Sequence, residues 1–291
     1  MQVAIHAGAH RTDDGRLLAC LRDNAEALRA CGTNVPEPES YHRKLRDLIQ
    51  TAQQSALPPD TRAAMAEVTG TDEHTARLVL DNPGFFGTPK MAVGDARFYP
   101  AADIRLACFQ QIFAPDGIKL FLGLRNPAAL LPALVPDTPF SSVGDLLRGA
   151  DPLDLRWSEM IARLRSALPD IPVTVWCNED TPLIWTRLLR AMAGIDETVP
   201  LSGEFSLLRE ILTETGLARF NAFVERRTGL GDAQKARVVA AFLDKVADPE
   251  AVEEEIDVPG WDGGTVAQLS ALYDTDVAEI AEMEGVRMIR P

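Results

Sequence analysis

The chain has 291 residues, 46% of them apolar, and 43 Asp and Glu against 29 Lys and Arg give a net charge of −14. That is the composition of a soluble globular protein, long enough for one large α/β domain or two modest ones. The acidic balance repels nucleic acid and anionic membranes at long range and argues against a role on either, so any anion site must be built from local positive charge.

The run 3–5 predicts a first strand, 8–15 a short loop with glycine at each end, and 17–28 an apolar helix. A strand passing through a tight loop into a helix is an anion-binding geometry, because unpaired N–H groups and the positive end of the helix dipole converge there. Here the loop carries Asp13 and Asp14 where an anion would sit. Thr12, Asp13 and Asp14 suit helix capping. Direct anion contact, or Mg²⁺ held by the two aspartates, are the alternatives.

Cys31-Gly32 ends the first helix, and Val35-Pro-Glu-Pro38 is a turn or extended segment. A second helix is expected over 41–56, a third from Pro58-Pro59-Asp60, and a strand over 76–80 broken by Asp81-Asn-Pro-Gly84. Helix 101–113 leads to 118–124, an almost wholly apolar strand of the kind covered on both faces, which Arg125-Asn126-Pro127 ends. Helices at 128–135 and 154–168, a strand at 172–177 and a helix at 181–192 follow.

Strands at 2–7, 76–80, 118–124 and 172–177 alternating with helices predict a three-layer α/β/α fold around a parallel sheet. After Phe205 the pattern is helical, over 207–217, 219–226, 233–246 and 266–283, with the acidic stretch 248–257 as a solvated connection. A single domain over 1–291 is expected, with its core in about 1–200 and a helical C-terminal extension in about 205–291. Trp157, Trp176 and Trp185 are expected in the core. Asp274 and Asp276 are expected on a solvated helix face, His10 on a solvent-facing loop, and Phe85-Phe86 either lining a pocket or packing under the sheet edge.

No apolar run is long and unbroken enough to span a bilayer: 118–135 is interrupted by Lys119, Arg125, Asn126 and two prolines. With no signal-peptide pattern before the first apolar run, a cytoplasmic protein is expected. Cys20, Cys31, Cys108 and Cys177 form no CxxC pair, and the four histidines have no zinc-site spacing, so no metal site is expected. His6 and His10 are four apart, but across a strand and a loop rather than on a helix.

Four segments, in this order, resemble the P-loop sulfotransferases, in particular their bacterial branch. Gly8-Ala-His-Arg11-Thr12 is similar to that family's Gly-x-x-Lys-Thr-Gly-Thr-Thr loop. Leu78-Val-Leu-Asp-Asn-Pro-Gly-Phe-Phe-Gly87 is similar to a strand ending in Ser-Asp/Glu-Glu-Asn before an aromatic and a glycine. Leu122-Gly-Leu-Arg125-Asn126-Pro127 is similar to a strand ending in Arg-x-Pro, and Leu272-Tyr-Asp-Thr-Asp-Val277 to a late Tyr-x-x-Asp. The resemblance spans most of the chain. It implies a P-loop NTPase/sulfotransferase-like fold, 3′-phosphoadenosine 5′-phosphosulfate as cofactor, and transfer of its sulfuryl group to a hydroxyl of a small-molecule or carbohydrate acceptor. Homo-oligomerisation is left open.

Carried over by position, Gly8, Arg11, Thr12, Gly15, Arg16 and Arg125 would bind the donor. Arg11 would stabilise charge on the leaving oxygen, with His10 or Asp81 as the base. The departures are specific. Arg11 replaces lysine and keeps the charge with a different donor geometry. Gly-Thr-Thr has become Asp13-Asp14-Gly15, the serine that partners Arg125 is Ala133, and the acidic pair after the middle strand is Asn82-Pro83-Gly84, leaving Asp81. Like charges about 4 Å apart cost roughly 1 to 4 kcal/mol at effective dielectrics from that of water to ~20. A second expectation therefore stands beside the first: a catalytically silent sulfotransferase-fold protein acting as a binding or assembly module. A nucleotide kinase is less well matched, because no Gly-Lys-Ser/Thr closes the loop.

Overall fold

Six parallel strands form the centre of the computed structural model, which describes residues 1–227, 229–252 and 256–291. In chain order the strands are β1 (Gln2–His6), β2 (Thr33–Asn34), β3 (Arg77–Asp81), β4 (Val93–Gly94), β5 (Arg97–Phe98), β6 (Gly117–Leu124), β7 (Val173–Cys177) and β8 (Val286–Met288). The sheet runs β2-β3-β1-β6-β7-β8, while β4 and β5 pair antiparallel outside it. After β1 the chain moves out to β2, returns through β3, and then crosses to β6 on the other side. The C-terminal end of β1 is thus a topological switch point, where open α/β sheets bind ligands.

Alternation along the strands divides the core in two. Val3, Ile5, Leu78, Leu80, Leu120 and Leu122 pack with helices Pro38–Gln54, Ala102–Phe113, Trp157–Ala167 and Gly263–Ala281. Ala4, Val79, Phe121 and Trp176 pack on the opposite face with helices Arg16–Asp23, Ala25–Ala30 and Thr181–Ala193. Both faces being covered explains why 118–124 is nearly all apolar. Trp157, Trp176 and Trp185 are buried as expected.

Four features depart from the expectations. The helix expected over 17–28 breaks at Asn24, whose side chain leaves the helical pattern to accept from Ser202 N at 2.7 Å and donate to Ser202 O at 3.0 Å. Strands β2, β4, β5 and β8 are two or three residues long, too short to carry a period in the sequence.

The region after 205 is also more than an extension. Leu208, Leu212, Phe220 and Val239 form a small separate core, but the chain then returns, laying helix Gly263–Ala281 on Trp157–Ala167 and adding β8 beside β7. Of the acidic stretch 248–257, Pro249–Val252 is a helical turn and 253–255 lie outside the described residues.

Asp276 does not lie on a solvated face. It is 1% exposed and accepts from Arg156 Nε at 2.7 Å, Trp157 N at 2.8 Å and Ser158 Oγ at 2.7 Å. It therefore pins the closing helix to the start of Trp157–Ala167 and satisfies an N–H of its first turn. Asp276→Ala strands these donors and is expected to cost about 3 kcal/mol in chemical denaturation. Asp274→Ala, two residues away and exposed, should stay within about 0.5 kcal/mol.

Candidate functional site

β1 and β3 run parallel with His6 opposite Asp81, so both side chains leave the same sheet face at the C-terminal edge. His6 is 1% exposed and Asp81 5%, and His6 Nδ1 is hydrogen-bonded to Asp81 Oδ2. Burial pulls the imidazole pKa down, but the charge and hydrogen bond of Asp81 outweigh it and raise His6 to about 9. Trp176 lies against the ring, with centroids 5.6 Å apart. Tyr41 and His42, from helix Pro38–Gln54, hold the Asp81 carbonyl, both at 3.1 Å.

From His6 the chain enters the loop and lies along the end of β6. Ala7 N donates to Phe121 O, Ala9 N to Gly123 O, and Gly123 N to Gly8 O. Gly8 has φ +89, and a Cβ there would come within 2.9 Å of His10 N and 3.2 Å of Pro83 Cα, so only glycine fits. Thr12 Oγ1 donates to Ala9 O at 2.8 Å and closes the turn. Asp13 Oδ2 accepts from Leu17 N at 3.1 Å, and Arg16 N donates to Asp13 O at 2.9 Å. Of the three capping candidates, Asp13 is the one whose carboxylate meets the helix N-terminus. Its pKa is raised by burial and by Asp81, against the opposing pull of His6.

The positive residues of the loop are engaged with carboxylates. Arg11 Nη2 lies 2.7 Å from Asp137, and Arg16 pairs with Asp14 at 3.3 Å and Glu210 at 2.8 Å. Arg125, just after β6, donates to the Arg11 carbonyl. The four segments of the resemblance meet at this edge: Tyr273 donates to Leu124 O at 3.3 Å and to Glu179 at 3.0 Å, and Asn82 caps the turn at 83–86.

His10 is buried rather than solvent-facing. It is 6% exposed, and its Nδ1 lies 2.8 Å from the Tyr99 hydroxyl, which also accepts from His10 N at 3.0 Å. Burial lowers its pKa to about 4, with Asp137 opposing and Arg11 assisting. His10 is thus neutral at pH 7 and a weak base, while Asp81 is committed to His6. Cys20 and Cys177 are pushed up to about 11 by burial, which makes them poor nucleophiles.

His6 is the residue the sequence reading missed: it ends an apolar run, and its partner is 75 positions away. His6, Asp13 and Asp81 each offer a ligand atom within 4.8 Å of the others. Two cavities lie at this end of the sheet, one of them against the loop. One of about 280 Å³ is lined by Thr12, Asp13, Arg16, Thr181 and Glu210. The other, about 670 Å³, opens beyond β3 and is lined by Glu39, His42, Arg43, Arg46, Phe85 and Arg105 among others, so Phe85 lines a pocket while Phe86 is packed away. No helix among the described residues is long and apolar enough to cross a membrane. Comparison with family models, curated proteins and solved structures returns no match.

Unfolded histidine takes up a proton near pH 6.5, whereas folded His10 resists until about pH 4. Its contribution is therefore fully present above pH 6.5 and lost as the pH falls towards 4, a decline of about 3 kcal/mol. Denaturant titrations across that window should show the decline, and His10→Gln should flatten it.

Proposed function

We propose that the chain is a sulfotransferase-like α/β protein of P-loop type that does not transfer sulfuryl groups and serves as a binding module for a small organic anion. The observation that carries this reading is the Asp13 carboxylate on Leu17 N–H, at the helix end where the donor's phosphosulfate would accept. A second negative group there meets repulsion of roughly 1 to 4 kcal/mol per close pair. The arginines that would offset it are held by Asp137, Asp14 and Glu210. The kinship is supported by the strand–loop–helix unit at the switch point and by Arg125 reaching back to the loop. That same contact is what favours the active reading: sulfuryl transfer from 3′-phosphoadenosine 5′-phosphosulfate to a small-molecule or carbohydrate hydroxyl, with Arg11 and Arg125 on the donor and Asp81 or His10 as base.

The cavity beyond β3 supports the choice of ligand. In a chain of net charge −14 it gathers Arg43, Arg46, Arg105 and His42 against Glu39 in the lining and Asp47, which lies 3.6 Å from Arg46. Arg105 is steadied by Phe85 O at 3.3 Å, and Phe85 gives the cavity an apolar wall. Three arginines lining one cavity beside an aromatic ring fit a carboxylate, sulfate or phosphate ester carried on an apolar body.

Millimolar adenosine 3′,5′-bisphosphate is expected to leave the Tm of the wild-type protein unchanged, and the Asp13→Gly, Asp14→Thr double variant should gain a shift. A wild-type shift abolished by Arg125→Ala overturns the proposal in favour of the active enzyme. For the anion cavity, a thermal-shift panel of sulfated, phosphorylated and carboxylated aromatics should yield binders. The Arg43→Ala, Arg46→Ala double variant should weaken them by about tenfold, or roughly 1.4 kcal/mol. A panel with no binder, or binding indifferent to both arginines, removes the cavity from the reading.

A further inference from the structure

We propose that His6, Asp13 and Asp81 form a binding site for one first-row divalent cation, Zn²⁺ or Mn²⁺. The inference stands apart from the question of sulfuryl transfer. Two of the ligands are fixed by the sheet, since His6 and Asp81 face each other across the β1–β3 register and are both more than nine-tenths buried. The third comes from the loop, and the three ligand atoms lie within 4.8 Å of one another, so a cation bonded to all three at about 2.0 to 2.2 Å requires the loop ligand to draw in and the direct His6–Asp81 hydrogen bond to open.

Three further observations point to a cation rather than to a closed hydrogen-bond cluster. His6 Nε2 is buried with no hydrogen-bond partner among the described residues, an unusual state for a buried polar atom. Asp13 uses Oδ2 for Leu17 N–H, and no other side-chain hydrogen bond engages its carboxylate among the described residues. No lysine or arginine among the described residues forms an ion pair with Asp13 or Asp81, so two carboxylates share a largely buried site with one imidazole. Carboxylates taken out of water are paired or coordinate metals.

The ligand set selects the ion. One imidazole nitrogen with two carboxylate oxygens suits Zn²⁺ or Mn²⁺, whereas Mg²⁺ and Ca²⁺ favour all-oxygen sets. Asp13 also lines the cavity of about 280 Å³, which gives the ion a route in. Three protein ligands leave coordination positions for water or a small molecule on that side.

The test uses the full chain stripped with a chelator and titrated calorimetrically with Zn²⁺ and, separately, with Mn²⁺. One equivalent per chain is expected. Asp13→Asn keeps an acceptor for Leu17 N–H and hence the fold, and should bind at least about tenfold more weakly. Pulsed electron paramagnetic resonance of the Mn²⁺ form should show an imidazole nitrogen coupling that is lost in His6→Gln. His74→Gln, at an exposed His–Glu pair, should bind like the wild type. Absence of stoichiometric binding of both ions, affinity unchanged in Asp13→Asn, or a Mn²⁺ form without the nitrogen coupling each overturns the site. None of these outcomes bears on the bisphosphate test, so the two readings fail independently.

Discussion

The in-register pairing of β1 with β3 and β6 is the constraint on which the rest of the molecule depends. It sets Ala4 on one face and Val3 and Ile5 on the other, and so decides which helices cover which side. It also brings His6 level with Asp81 and delivers the chain into the loop where β6 ends. A slip of one residue would turn His6 towards the opposite core and Ile5 towards Asp81. Register and site chemistry are one specification here, because an unpaired buried Asp81 would be far more costly than any single apolar contact.

Within that frame the loop illustrates how electrostatics decide what a shape can hold. The N–H groups at the start of Arg16–Asp23 would serve an anion from outside, and the chain meets one of them with its own carboxylate. The arginines that would make the loop attractive to a dianion are drawn into pairs with neighbouring acids. Positive charge reappears on the far side of β3, on helices Pro38–Gln54 and Ala102–Phe113, where a ligand could use it without displacing Asp13.

The longer elements were legible in the sequence because period and length agree there: 118–124 could be little other than a central strand, and Trp157, Trp176 and Trp185 lay on apolar faces. That a side chain among Thr12, Asp13 and Asp14 would meet the helix N-terminus was legible from residue type and position; that it is Asp13 was not. What was hidden depends on distant pairing. Asp276 reads as a surface acid until Trp157 N and Ser158 come to it from 119 and 118 residues away. His10 reads as a loop histidine until Tyr99 buries it, and His6 as the end of an apolar run until β3 sets Asp81 beside it. β8 is three residues of weak alternation, and only the vacant side of β7 makes it a strand.

That last strand shapes how the sheet is completed. Val173 N donates to Gly285 O and Ile289 N to Val175 O, so the outer edge of β7 is satisfied by chain more than a hundred residues later. Until 285–289 arrive, β7 presents a row of open backbone groups beside an apolar core, the template on which strands of other molecules add. Guarding a nascent edge then falls to whatever meets the chain before 285–289 dock.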